Sequence, residues 1–302
     1  MEEVYDVLIL GAGPAGLTAA IYCGRYNLKT LVVAVNFGGT ANLAGEVENW
    51  PGFMGSGQDL MNKIKEQAKK FGAEFLEHEI DSVDENEDRF ILKYEEKEIV
   101  GKSLIVALGT ENRKLDIPGE EKFLGKGVSY CATCDGNFFR NKKVVVIGGA
   151  DSAAKAALYL SEICESVVVV YRKHEMRCEP ISLTKIKEKE NIDIIYNSNP
   201  VEILGENVVK KLKISDEKNK EKVLDVDGVF IETGAVAATE VIKNIGLKIE
   251  GGYILTGKDC KTNIDGIFAA GDVTNSAMKQ MITSAGEGAI AAKGVHEFLL
   301  KK

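Results

Sequence analysis

The hexapeptide Gly11-Ala12-Gly13-Pro14-Ala15-Gly16 restricts the fold of this chain more than any other stretch. Residues 4–10 before it are apolar apart from Asp6 and read as a buried parallel strand; residues 14–26 after it read as a helix. G-x-G-x-x-G between a strand and a helix is a dinucleotide-binding turn. Gly11 turns the chain, Gly13 lets a pyrophosphate reach the backbone, and Gly16 lets helix pack on strand. The phosphates then sit on the helix N-terminus, where free N–H groups and the helix dipole attract anions. The next strand, residues 29–35, ends in Ala34 and Val35 rather than the acid that binds a ribose hydroxyl in such sites.

A second strand-turn unit follows at residues 144–147 with Gly148-Gly149-Ala150-Asp151-Ser152-Ala153. Ala150 replaces the middle glycine, and its methyl group either pushes a pyrophosphate back or demands a shifted backbone. The strand at residues 166–171 ends in Arg172 and Lys173, with Arg177 a short turn later. Cations at this strand end suggest a 2′-phosphate, hence NADP over NAD. With 302 residues, the chain has room for two such domains, each with its own core.

Between the two turns lies Cys131-Ala132-Thr133-Cys134-Asp135-Gly136. Cysteines two residues apart can close a small disulfide ring, and such rings in cytosolic proteins are usually redox-active. The thiolate is the reactive form, favoured near a helix N-terminus, and Asp135 is placed to give or take a proton during thiol–disulfide exchange. Cys23, Cys164, Cys178 and Cys260 are scattered without framework spacing and read as small buried hydrophobes. One Cys-x-x-Cys with His78, His174 and His296 dispersed gives no four-ligand zinc pattern, so no metal is expected. A net charge of -8 argues against a nucleic-acid partner. No apolar run is long enough to span a bilayer, so no membrane partner is expected. The acidic Met1-Glu2-Glu3 runs straight into a strand, unlike a signal peptide, which makes the cytoplasm the default location.

Elsewhere, Glu46-Val47-Glu48-Asn49-Trp50-Pro51-Gly52-Phe53 reads as a Pro-Gly turn with an aromatic plug. Residues 56–72 read as an amphipathic helix in which Ser56 and Asp59 form a capping-box-like pair. Residues 73–106 alternate short strands with polar turns, 84–88 being the clearest, and fit an antiparallel insertion. Residues 266–273 form a strand ending in Gly271-Asp272. A long helix follows at about 279–300, whose Ala285, Gly286, Gly288 and Ala289 let its backbone approach a planar ligand. Its N-terminal dipole suits the negative charge of a reduced flavin.

The order GAGPAG, EVENWPGF, CATCDG, GGADSA, YRKHEMR and GIFAAGDV resembles the low-molecular-weight bacterial and archaeal thioredoxin reductases over essentially the whole chain. The resemblance implies an α/β fold of two Rossmann-like three-layer ββα dinucleotide-binding domains, the second inserted into the first, in a homodimer. An FAD domain would span 1–112 and 237–302, and an NADPH domain carrying the dithiol 113–236. FAD would be held by Gly11, Gly13, Pro14, Ala15, Gly16, Gly39, Thr40, Asn49, Gly109, Gly271, Asp272, Gln280, Met281 and Ile282. NADPH would be held by Gly148, Gly149, Ala150, Asp151, Ser152, Arg172, Lys173 and Arg177. Cys134 would face the flavin, Cys131 would attack thioredoxin or a thioredoxin-like protein disulfide, and Asp135 would be the acid. The nicotinamide and the disulfide must each reach the flavin, so the inserted domain is expected to rotate about connections near 110–116 and 234–239.

Several positions depart from the family pattern. Ala150, Lys155 and Ala156 stand where a glycine and two glutamates are usual; Tyr171 and Lys173 interrupt HRRxxxR; and Thr233-Gly234-Ala235-Val236-Ala237 lacks its proline. Lysine cannot reproduce the bidentate grip of arginine on a phosphate. The alternative reading is therefore a related flavoenzyme fed by NADH, reduced ferredoxin or another donor. A ferredoxin–NADP reductase or a flavin-binding sensor needs no dithiol, and His296-Glu297, deep in a helix, reads as a surface pair rather than a C-terminal catalytic base.

Overall fold

Along the strand Val7–Leu10, Val7 and Ile9 enter one apolar cluster while Leu8 and Leu10 enter another. The same split recurs in the neighbouring strands: Val32 and Ile105 face the first cluster; Leu31, Val33, Leu104 and Val106 face the second. A strand buried on both faces must be the middle of three layers. The computed structural model describes residues 4–44, 47–86 and 89–302. Glu46 of the Pro-Gly turn motif, Glu87 and Asp88 of the acidic turn, and Met1, Glu2 and Glu3 lie outside the described residues. The helices among those residues are α1 Pro14–Arg25, α2 Gly57–Lys70, α3 Ala132–Asp135, α4 Asp151–Ser161, α5 Pro180–Glu188 and α6 Met281–Leu299.

The chain divides into two compact units, residues up to 111 with 236–302, and residues 112–235. In the first unit a parallel sheet runs in the order Ile267–Ala269, Leu104–Val106, Val7–Leu10, Thr30–Ala34, Glu74–Glu77. Residues of α1, α2 and α6 fill one face. The other face is covered by a sheet of Val4–Tyr5, Lys97–Gly101, Arg89–Tyr94 and Ser82–Asn86, antiparallel apart from its first strand. The second unit repeats the plan. Its parallel order is Val128–Ser129, Gly228–Ile231, Lys143–Ile147, Ser166–Val170, Ile192–Ile195. One face packs on α4 and Phe139; the other packs on the antiparallel strands Ser198–Gly205, Val209–Asp216 and Glu221–Asp225.

Three expectations shift. The strand expected at 4–10 divides at Asp6, whose carboxylate accepts the Lys29 N–H at 2.9 Å and the Lys102 ammonium at 2.7 Å. Val4–Tyr5 thus joins the covering sheet. Glu74–Glu77, expected in the antiparallel insertion, is instead the parallel edge strand, because α2 supplies the crossover a parallel neighbour requires. Of the acidic stretch expected as a turn, Asp84, Glu85 and Asn86 lie in the strand Ser82–Asn86. Val47–Trp50 and Phe53–Gly55 form a hairpin turning at Pro51-Gly52, where Gly52 has φ +80°. Ser56 caps α2, accepting from the Asp59 N–H at 3.1 Å. Cys23, Cys164 and Cys260 are buried and Cys178 is half-buried. Burial pushes the Cys23 and Cys260 thiols up to about 12 and that of Cys164 to about 11.

Candidate redox and dinucleotide sites

Cys131 and Cys134 form a disulfide with Cα atoms 5.3 Å apart. Cys131 is the N-cap of α3, and its sulfur accepts the Cys134 N–H at 3.2 Å. Ser129, at the end of a strand of the parallel sheet, fixes the other side of the turn. Its hydroxyl accepts the Cys131 N–H at 3.0 Å and donates to Asp135 Oδ2 at 2.6 Å. The acid beside the ring is thus oriented by the same serine that positions Cys131. Sequence reasoning missed Ser129, which carries no motif of its own. Cys134 is exposed and Cys131 half-buried, so sulfur can meet a partner without unfolding the turn. Tyr130 donates to Glu120 at 2.5 Å, and Glu120 in turn accepts the backbone N–H groups of Leu115 and Asp116. Burial and this carboxylate raise the Tyr130 phenol well above its ordinary value.

In the first unit a cavity of about 730 Å³ opens at the C-terminal ends of the parallel strands, the place where open α/β sheets bind ligands. Of the residues expected to hold FAD, Gly11, Gly13, Pro14, Ala15, Gly39, Thr40, Gly109, Gly271, Asp272, Gln280 and Met281 line this one cavity. A Cβ on Gly13 would meet nothing within 4 Å, so the backbone of α1's cap lies open to a ligand. Gly16 sits beneath, where a Cβ would stand 1.9 Å from the Gly11 oxygen. Asn49 reaches the cavity indirectly, donating at 2.9 Å to Gln280, and Ile282 is not part of the lining. Lys279 and Ser284 were not foreseen. Ser284 donates to Asp272 at 3.2 Å. Lys279 donates to the Asp272 and Thr274 carbonyls and lies 3.8 Å over the Tyr253 ring, and burial lowers the pKa of its ammonium. None of the small residues Ala285, Gly286, Gly288 and Ala289 near the start of α6 lines the cavity, and Gly288 packs against the Ala15 oxygen of α1.

The second unit holds a cavity of about 480 Å³ at the equivalent place. Gly148, Gly149, Ala150, Ser152, Arg172 and Arg177 line it, joined by Arg113, Lys114 and Glu232. Ala150 keeps the N-cap conformation of Gly13: φ -104°, ψ -170° against φ -77°, ψ -170°. The methyl group therefore demands no shifted backbone. Lys173 is exposed and outside the lining. Asp151 is spent on structure, accepting the Glu179 N–H at 2.7 Å. The Tyr171 ring covers Gly149, and its hydroxyl accepts from Arg177 Nε at 3.2 Å. No cluster of His, Cys, Asp and Glu suited to a metal occurs among the described residues, and no helix there is long and apolar enough to cross a membrane.

Comparison with known proteins agrees with this geometry. The family model described as pyridine nucleotide-disulphide oxidoreductase matches residues 5–288. The thioredoxin reductase of Bacillus subtilis (strain 168) is 39% identical over 302 residues, 99% of this chain and 96% of its own length. Among solved structures, Lactococcus lactis thioredoxin reductase matches with a TM-score of 0.92 at 37% identity, over 99% of this chain and 100% of that one. The thioredoxin reductase of T. acidophilum matches with a TM-score of 0.89 at 33% identity, over 99% and 100%.

Proposed function

The chain belongs to the pyridine nucleotide-disulphide oxidoreductase family, among its low-molecular-weight thioredoxin reductases, and from that premise we propose that it reduces the disulfide of a thioredoxin or thioredoxin-like protein with electrons drawn from NADPH. The observation that carries this reading is the Cys131–Cys134 ring, backed by Ser129-held Asp135, in a unit with its own cavity lined by Arg113, Lys114, Arg172 and Arg177. The cavity of the first unit fits FAD: an open glycine cap, the α1 N-terminus for pyrophosphate and the α6 N-terminus for a flavin. When bound, FAD supplies a two-electron relay between a nicotinamide and a disulfide.

The chain's own residues then do thiol chemistry. The Cys131 thiolate attacks a sulfur of the thioredoxin disulfide, forming a mixed disulfide and releasing one thioredoxin thiolate. The Cys134 thiolate attacks the Cys131 sulfur, closes the ring again and releases the second. Asp135 holds the proton that these thiolates lose and gain. Phe138, three residues beyond Asp135 and 75% exposed, offers an apolar contact to a protein substrate at the dithiol's rim. A homodimer in the reducing cytoplasm completes the proposal.

A second reading, another donor in place of NADPH, is favoured by Lys173 lying outside the cavity and by the Glu232 carboxyl within it. Anaerobic flavin bleaching with NADPH, NADH and reduced ferredoxin, each offered separately, decides between them. NADPH is expected to bleach fastest; bleaching by ferredoxin alone would overturn the NADPH assignment. The Cys134→Ser variant is expected to stay yellow and lose thioredoxin reduction by more than about a hundredfold. Turnover at the parent rate would sink the dithiol relay.

A further inference from the structure

The two units repeat the same backbone contacts around their glycine turns, and the crossing segment beside each turn carries a different side chain. In the first unit the Gly11 N–H donates to Val33 O and the Ala107 N–H to Leu10 O; in the second, Gly148 donates to Val170 O and Glu232 to Ile147 O. A Cβ on Gly11 would stand 2.2 Å from the Ala107 oxygen, and one on Gly148 would stand 2.2 Å from the Glu232 oxygen. Both segments then reach a positive-φ glycine two residues later, Gly109 and Gly234. Glu232 therefore occupies the place of Ala107. Where the first cavity has a methyl group beside its phosphate-binding turn, the second has a carboxyl.

The surroundings of Glu232 sharpen the contrast. It is mostly buried, lines the cavity, and meets the hydroxyl of Ser152 in the first turn of α4. That turn is where a dinucleotide pyrophosphate is drawn. The strand Lys143–Ile147 brings no charged side chain to it from its C-terminal end. From α4 only Ser152 lines the cavity; Asp151 is tied to the Glu179 N–H, and Lys155, one turn on, lies outside the lining. The crossing segment brings Arg113 and Lys114, the end of the strand Ser166–Val170 brings Arg172, and the following loop brings Arg177, whose Nε is on Tyr171. None of these cations forms an ion pair with Glu232 among the described residues. An ionised carboxylate here shares the cavity with an incoming pyrophosphate, and a like charge nearby in a partly dry site favours the protonated acid.

We propose that Glu232 is a specificity-determining side chain that makes dinucleotide binding proton-coupled, the nucleotide entering together with one proton that the Glu232 carboxylate takes up. The proton comes from solvent, and nothing is oxidised or reduced in the step. The neutral acid then keeps Ser152 as partner or donates to a phosphate oxygen. The coupling rests on the reading of this cavity as the pyridine-nucleotide site. It also distinguishes the two sites of one chain: the cavity with Ala107 binds without such a proton.

The test is calorimetric titration of the oxidised holoenzyme with NADP⁺, which binds without reducing the flavin. It is run at about pH 7 and about pH 8.5, in buffers of different ionisation enthalpy. Both pH values lie above the second ionisation of the 2′-phosphate, near about 6. The parent protein is expected to bind about tenfold more weakly at the higher pH and to take up close to one proton there. Glu232→Gln and Glu232→Ala, the latter copying Ala107, are expected to bind with equal affinity at both pH values and no proton uptake. Because proton uptake is read on the parent protein itself, the outcome does not depend on either variant folding. A pH-independent parent titration without uptake overturns the proposal. If Arg172→Ala and Arg177→Ala still weaken binding in that case, the cavity remains the nucleotide site and only the role of Glu232 falls. Absence of binding by the parent and by both Glu232 variants overturns the cavity assignment and the proposal with it.

Discussion

Burial lifts the Glu232 carboxyl from an ordinary 4.5 to about 7, and a shifted acid is a stability element whatever it does for ligands. Between those two values the folded protein holds a proton that the unfolded chain has already lost. Folding stability from this group is therefore complete below about pH 4.5, declines as pH rises through the window, and levels off above about 7. Glu232→Gln has no proton to lose. Its stability relative to the parent is expected to improve by about 1–3 kcal/mol between pH 5 and pH 8. Denaturant unfolding of both proteins at the two pH values checks it; a constant difference would mean that the carboxyl is not shifted. Nothing in the sequence foretold this residue. Gly11, Gly13 and Cys131 were legible because a tight turn or a two-residue ring admits few residue types, so local geometry writes them into the string. Glu232, Ser129 and Lys279 matter through neighbours at distant positions, and a lone Glu, Ser or Lys has no local signature. Lys173 shows the converse: it sits in a basic run, yet only Arg172 and Arg177 reach the cavity.

Helix α6 approaches α1 closely because Gly288 has no side chain, and a Cβ there would stand 2.1 Å from the Ala15 backbone oxygen. That contact places the start of α6, with Gln280, Met281 and Ser284, over the cavity whose floor is the α1 cap. Backbone cannot yield as a flexible side chain can, so Gly288→Val must push the helices apart. The expected loss is about 2–4 kcal/mol, with bound flavin falling alongside. Gly286, two positions earlier, meets nothing within 4 Å. Gly286→Ala is therefore expected to be neutral or to stabilise by up to about 1 kcal/mol through helix propensity. Melting temperature and flavin absorbance of the two variants measure this together, and equal behaviour would refute the close contact as the determinant. At this scale the sequence was informative where a period or a cap was strong, as in α2, where Ser56 sits at the cap. It misled at Glu74–Glu77, whose place depends on strand pairing and not on the short polar-apolar pattern of the segment itself.

Each unit closes its own layers. The clusters that fill residues 112–235 draw only on those residues, and those of the other unit only on the flanking segments. The two crossings, Thr110–Asn112 and Ala235–Ala237, pair with each other as a two-stranded ribbon, so the chain leaves the first unit and returns to it at neighbouring points. An insertion whose ends meet leaves its host's core intact, which is why such excisions succeed. Joining Glu111 to Val236 through a short Gly-Ser link is therefore expected to give a folded protein that binds FAD and is yellow. It should have no thioredoxin reductase activity, since the dithiol is gone. The fragment 112–235 alone is expected to fold cooperatively, colourless, with the Cys131–Cys134 disulfide intact. Its two apolar clusters flank a five-stranded sheet, and a domain of ordinary size sustains such a core unaided. Far-UV circular dichroism, flavin absorbance and thiol titration on the two pieces test this in parallel. A yellow linked host with an unfolded fragment would show that the inserted unit draws its stability from the host. A colourless, unfolded host would show that the flavin cavity needs the insertion, and the division of labour argued from the two glycine turns would have to be abandoned.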